Sequence, residues 1–111
     1  MHELGMARDI CRAVAEKSPG RRVASMTVEV GALAGIAADA LEFCISEVAR
    51  EEGLGDPEVT VKPTATRVKC SCGAEYSTED ILQPCPSCGG YQREFLSGMD
   101  IVVSAVELEN A

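Results

Sequence analysis

Two short cysteine-bearing turns constrain this chain more than anything else in it. The first reads "KCSCGAEY", with Cys70 and Cys72; the second, after a gap of twelve residues from Cys72, reads "CPSCGG", with Cys85 and Cys88. A segment of about thirty residues buries too little apolar surface to hold itself together. Something else must fix it. In both turns a glycine directly follows the second cysteine, Gly73 and Gly89. Glycine reaches positive φ without strain, so backbone N–H groups can turn toward the sulfurs. Four thiolates in two such turns match a structural Zn(II) site, which supplies roughly 10–16 kcal/mol of apparent binding energy. The first turn departs from regular spacing. One residue, not two, separates Cys70 from Cys72, and Lys69 stands where a regular Cys-x-x-Cys has its first sulfur. Cys70 is therefore the least secure of the four expected ligands. A disulfide pair or a redox Cys-x-x-Cys is the alternative.

The flanking sequence reads as an ordinary small fold. Met6, Ile10 and Val14 recur at four-residue spacing, which predicts a helix over 4–17 before "SPGRR" breaks it. In "SMTVEV", Met26, Val28 and Val30 alternate with Ser25, Thr27 and Glu29, as in a strand with one wet face. A second helix follows "GALAG", with Asp39 near its start and Leu41, Cys44, Ile45 and Val48 as its apolar stripe. "EVTVKP" and "MDIVVSAVELEN" are strand-like, and the latter is expected to pair back into the main sheet. The expectation is an α+β fold: a small sheet packed with two helices, plus an inserted zinc-ribbon-like four-cysteine module. Residues 1–65 and 98–111 would form the body and 66–97 the insertion. Cys11 and Cys44 fall on or beside the apolar stripes, where free cysteine packs as a small hydrophobe.

Charge excludes one class of partner. With 18 acidic and 10 basic residues the net charge is −8, and only Lys69 and Arg93 are basic between Lys69 and Phe95. No basic face is available to displace counterions from nucleic acid. The opening "MHELGMARDICRAVAEK" carries charges throughout and lacks a secretory apolar run. No stretch approaches the length of a membrane span. A cytoplasmic protein with reduced thiols is expected.

The chain's only histidine is His2. The Met1 α-amine, the His2 amide nitrogen and its imidazole can form fused chelate rings around one ion. The Glu3 amide could complete a plane of four nitrogens, or its carboxylate could stand nearby. Such a plane suits Ni(II) or Cu(II), unlike a tetrahedral sulfur site. The donors must first lose protons, with reference values of about 6.5 for imidazole and 7.7–8.0 for an α-amine. Taken alone, His2 is more readily a chance residue after the start than a ligand, and Glu3 could simply be an acid favoured at a helix start.

"MHE" at the start, "VEVGALAGI" followed by a helix, and an insertion ending "CPSCGG" together resemble the HypA family of hydrogenase nickel-incorporation proteins. The resemblance runs over essentially the whole chain. It implies a nickel metallochaperone for [NiFe]-hydrogenase maturation, with Ni(II) as transferred cargo and Zn(II) as a structural ion. Carried over, the nickel ligands are His2, the Met1 amine and neighbouring amides, with Glu3 as the acidic residue beside them. The zinc ligands become Cys70, Cys72, Cys85 and Cys88. The implied partners are a HypB-type GTPase and the hydrogenase large subunit, and some members also serve urease. A monomer or weak homo-oligomer is expected, with no nucleic acid, no membrane and no catalysis of its own. No second histidine can act as a base, and no glycine loop cradles phosphate. The rival readings are a zinc-ribbon protein-interaction module without nickel transfer, and a thiol redox enzyme using Cys85 and Cys88.

Overall fold

The computed structural model describes residues 2–110. Its elements run α1 (Glu3–Lys17), β1 (Val23–Gly31), α2 (Ala38–Glu51), β2 (Glu58–Thr64), β3 (Thr66–Cys70), β4 (Glu75–Thr78), β5 (Arg93–Ser97) and β6 (Ile101–Leu108). Helix α1 turns Ala7, Ile10, Cys11 and Val14 inward, and α2 turns Leu41, Ile45, Val48 and Ala49 inward. Hydrogen bonds at one repeated offset link Glu3 with Ala37 and Cys11 with Ile45, so the two helices run side by side in the same direction.

Strand β1 is the centre of the first sheet, ordered β2-β1-β6. It pairs in parallel with β2 across the α2 crossover and antiparallel with β6. The alternation read from the sequence is what the fold uses: Met26, Val28 and Val30 are buried while Ser25, Thr27 and Glu29 are half-exposed. The strand also extends back to Val23, which is fully buried. With the helix residues these form the larger core. Cys11 lies inside it and Cys44 packs at its margin, as expected for small hydrophobes. Burial pushes the Cys11 thiol up to about 11, with Glu52 adding to the shift.

The second sheet, ordered β4-β3-β5, arises wholly within the segment between β2 and β6. Its strands are too short for their periodicity to be read in advance. They enclose a smaller core of Leu33, Val68, Cys70, Tyr76 and Cys85. The two cores lie along one axis, giving extents of 56 × 24 × 18 Å and a radius of gyration of 16.8 Å. A single compact body of this length would have a radius near ~13 Å.

Where the two sheets meet, space is tight. A Cβ on Gly31 would run into the backbone of Gly98 and Met99, and one on Gly98 into the carbonyl of Ala65. Gly98 also has φ +77, a conformation costly for any other residue. Thr66 is completely buried there, donating to the Gly98 carbonyl at 2.9 Å and accepting from the Leu33 N–H at 3.4 Å.

Candidate metal centres

The four cysteines expected as ligands come together. Their Sγ atoms all lie within 4.8 Å of one another, with Cys70 and Cys88 at 3.4 Å and Cys72 and Cys85 at 3.8 Å. A tetrahedral ion with arms of about 2.3 Å has ligand–ligand edges of roughly 3.8 Å. The donor set and its spacing therefore fit a tetrahedral, thiophilic ion. Cys70 and Cys85 are buried against the smaller core, while Cys72 and Cys88 face outward.

Local backbone chemistry explains how two unequal turns meet on one point. In the first, Gly73 donates to the Cys70 carbonyl at 2.9 Å and Cys70 donates to Ala74 at 2.8 Å. In the second, Gly89 donates to the Cys85 carbonyl at 2.8 Å and Cys85 donates to Gly90 at 2.9 Å. The same pattern is thus built one residue shorter around Cys-x-Cys. Gly73 and Gly89 both take positive φ, +97 and +74, as their positions after each pair required. Cys70 is held by its place as the last residue of β3, between β4 and β5, and Lys69 stays outside the cluster.

Electrostatics among the sulfurs is unbalanced without a cation. The Cys88 N–H brings the Cys85 thiol down to about 6, against burial, and the Ser87 N–H helps from 3.4 Å. The Cys72 N–H lowers Cys70 in the same way. Cys88 moves oppositely. The Gly90 N–H lowers it, but the Cys70 and Cys72 sulfurs and burial outweigh that and push it up to about 12. Charge placed on some sulfurs raises the cost of charge on the next, and a divalent ion removes that conflict.

The start of the chain is arranged differently. His2 is exposed and occupies the N-cap position of α1, with its carbonyl accepting from Met6 at 3.0 Å and no side-chain cap bond. Met1 lies outside the described residues. Glu3 is only 8% exposed, and its carboxylate accepts from the Ala37 N–H at 3.2 Å, at the start of α2. Its carboxyl is held down at about 2, first by the chain's terminal ammonium and then by the N–H groups of Glu3 and Ala37. The structure gives Glu3 a tie between the two helices that the sequence did not reveal, because no local pattern links residues 3 and 37. Among the described residues only the four cysteines form a side-chain cluster able to hold a metal. A site made largely of backbone nitrogens has no such signature.

Known proteins match the chain over nearly its whole length. A family model described as "Hydrogenase/urease nickel incorporation, metallochaperone, hypA" matches residues 1–108. The chain is 33% identical over 110 residues to hydrogenase maturation factor HypA of Geobacter metallireducens, covering 98% of this chain and 100% of that one. It is 31% identical over 110 residues to the protein of that name from Geotalea uraniireducens, at the same coverage. In fold it is similar to the solution structure of the Ni metallochaperone HypA from Helicobacter pylori, with a TM-score of 0.64, 14% identity and 97% of each chain covered.

Proposed function

The chain belongs to the HypA family of hydrogenase/urease nickel-incorporation metallochaperones, and from that premise we propose how it divides its two metals. Nickel is cargo, held at the chain start by His2 with the Met1 amine and neighbouring amide nitrogens, and with Glu3 alongside. Zinc is resident, held by Cys70, Cys72, Cys85 and Cys88, where it supplies structure and neutralises the four sulfurs. Residues 1–65 and 98–111 form the nickel-bearing body and 66–97 the zinc module. The chain delivers metal without catalysing a reaction, in the cytoplasm, to partners of the HypB GTPase and hydrogenase large-subunit kinds.

One observation carries this reading. The cysteine cluster takes up every clustered side-chain donor among the described residues, and the chain's only histidine is left exposed at a helix start. The chemistry of the two donor sets also separates the metals. Four thiolates suit a tetrahedral ion, whereas an amine, amides and an imidazole suit a square plane.

The test is a Ni(II) titration of zinc-loaded protein with its native N-terminus, beside His2→Ala and a version with one glycine added before Met1. About one nickel per chain with a square-planar absorption spectrum is expected, lost in both altered proteins. If all three bind nickel alike, the terminus is not the site. The function then reverts to a zinc-ribbon interaction protein.

A further inference from the structure

The loop between β4 and the second cysteine turn presents bare apolar side chains on a rigid support. Ile81 is 57% exposed and Leu82 is 75% exposed. Loops carrying such residues ordinarily have freedom to fold them away. This one has little. The Asp80 N–H donates to the Thr78 hydroxyl at 3.0 Å, and that hydroxyl meets Gln83 Oε1 at 2.6 Å. The Leu82 N–H donates to Asp80 Oδ1 at 2.9 Å, and the Gln83 N–H to the Asp80 carbonyl at 3.0 Å.

From below, the loop is clamped by Arg93. Its guanidinium donates to the Ile81 carbonyl, to the Gln83 carbonyl at 2.7 Å and to the hydroxyl of the buried Tyr76 at 3.0 Å. The Tyr91 ring, 58% exposed, lies 6.0 Å from the same guanidinium. The arginine that holds the backbone on either side of Leu82 thus also lies beside the Tyr91 ring. A patch whose backbone is already fixed loses less entropy on binding. Once a partner buries them, a few side chains, aromatic ones above all, carry most of the energy of a protein–protein contact.

Charge selects the kind of partner. Residues 79–94 hold three acids, Glu79, Asp80 and Glu94, and one base, Arg93, which is spent on backbone carbonyls. We propose that Ile81, Leu82 and Tyr91 form a docking knob for a protein surface carrying an apolar socket bordered by basic side chains. The two arms of recognition are separable: the apolar tips set residence time, and Glu79 sets encounter.

The choice of proteins for the test rests on the function proposed above. Nickel- and zinc-loaded full-length chain is titrated with a purified HypB-type GTPase and with a hydrogenase large-subunit precursor. The double variant Ile81→Ser/Leu82→Ser is expected to bind one of them at least about tenfold more weakly, with zinc content and nickel stoichiometry unchanged. Glu79→Lys slows association and flattens its salt dependence. Binding by the native chain that is undiminished in the double variant overturns the docking knob and leaves nickel delivery standing. A salt-independent association that Glu79→Lys leaves alone overturns the basic socket. If the double substitution instead abolishes self-association in sedimentation, the occupant is a second copy and the proposal is wrong. Failure of the native chain to bind either protein overturns both the knob and the proposed partners.

Discussion

The cysteine cluster and the start of α1 are assembled on opposite plans. At the cluster, donors separated by 13 and 18 residues are brought within 3.8 and 3.4 Å by a folded sheet and two glycine turns. At the chain start the proposed donors are consecutive in sequence, and His2 is exposed at the N-cap of α1. A site made by the fold is released only when the fold opens. A site made of consecutive residues can be exchanged one donor at a time. On the proposed function, permanence belongs to the first and transfer to the second.

Removing zinc breaks the contrast most severely. Structural zinc contributes roughly 10–16 kcal/mol of apparent binding energy to modules of this size. Chelation, or Cys85→Ala, is expected to collapse residues 66–97 while α1, α2 and the β2-β1-β6 sheet keep their protected amides in hydrogen exchange. Uniform loss of protection would show that the two cores are one cooperative unit.

A core substitution probes the converse. Ile45 is fully buried in the larger core, so Ile45→Ala should cost about 2–5 kcal/mol in chemical denaturation. Zinc stoichiometry should stay the same in the folded protein. Loss of zinc at denaturant concentrations where the larger core is intact would reverse the assigned dependence.

Glu3→Gln sharpens the comparison at the smallest scale. The Glu3 carboxyl is depressed from its ordinary value of 4.5 to about 2. A depressed carboxyl contributes stability that is present above its ordinary value and lost as pH falls through about 2. Native protein should therefore lose a component of stability between pH 4.5 and 2 that Glu3→Gln lacks. Parallel acid profiles for the two proteins would show that the ionised Glu3 carboxylate contributes nothing to stability.

The helices, β1, β2 and β6 were legible because their apolar residues repeat at the period of the element, as Met26, Val28 and Val30 do. The cysteine site was legible from paired turns and their glycines, even with its short first turn. The strands of the second sheet were not. In β5 every residue from Glu94 to Ser97 is exposed, so no buried face leaves a mark on its sequence. Contacts distant along the chain were equally hidden: Leu33 packing into the smaller core, Arg93 clamping the Ile81 and Gln83 carbonyls, and Glu3 reaching Ala37. Each depends on tertiary placement rather than on a local pattern.

The most direct measurement is an amide correlation spectrum of zinc-loaded, isotopically labelled protein before and after one equivalent of Ni(II). Square-planar Ni(II) is diamagnetic, so neighbouring resonances shift without broadening, while amide nitrogens that bind the ion lose their protons and their peaks. The expected result is large change confined to the first turn of α1 and the neighbouring Ala37 region, with resonances of residues 70–73 and 85–90 unmoved. Nickel-dependent change centred on Cys70, Cys72, Cys85 and Cys88, with the terminus silent, would contradict the separation of cargo from resident metal.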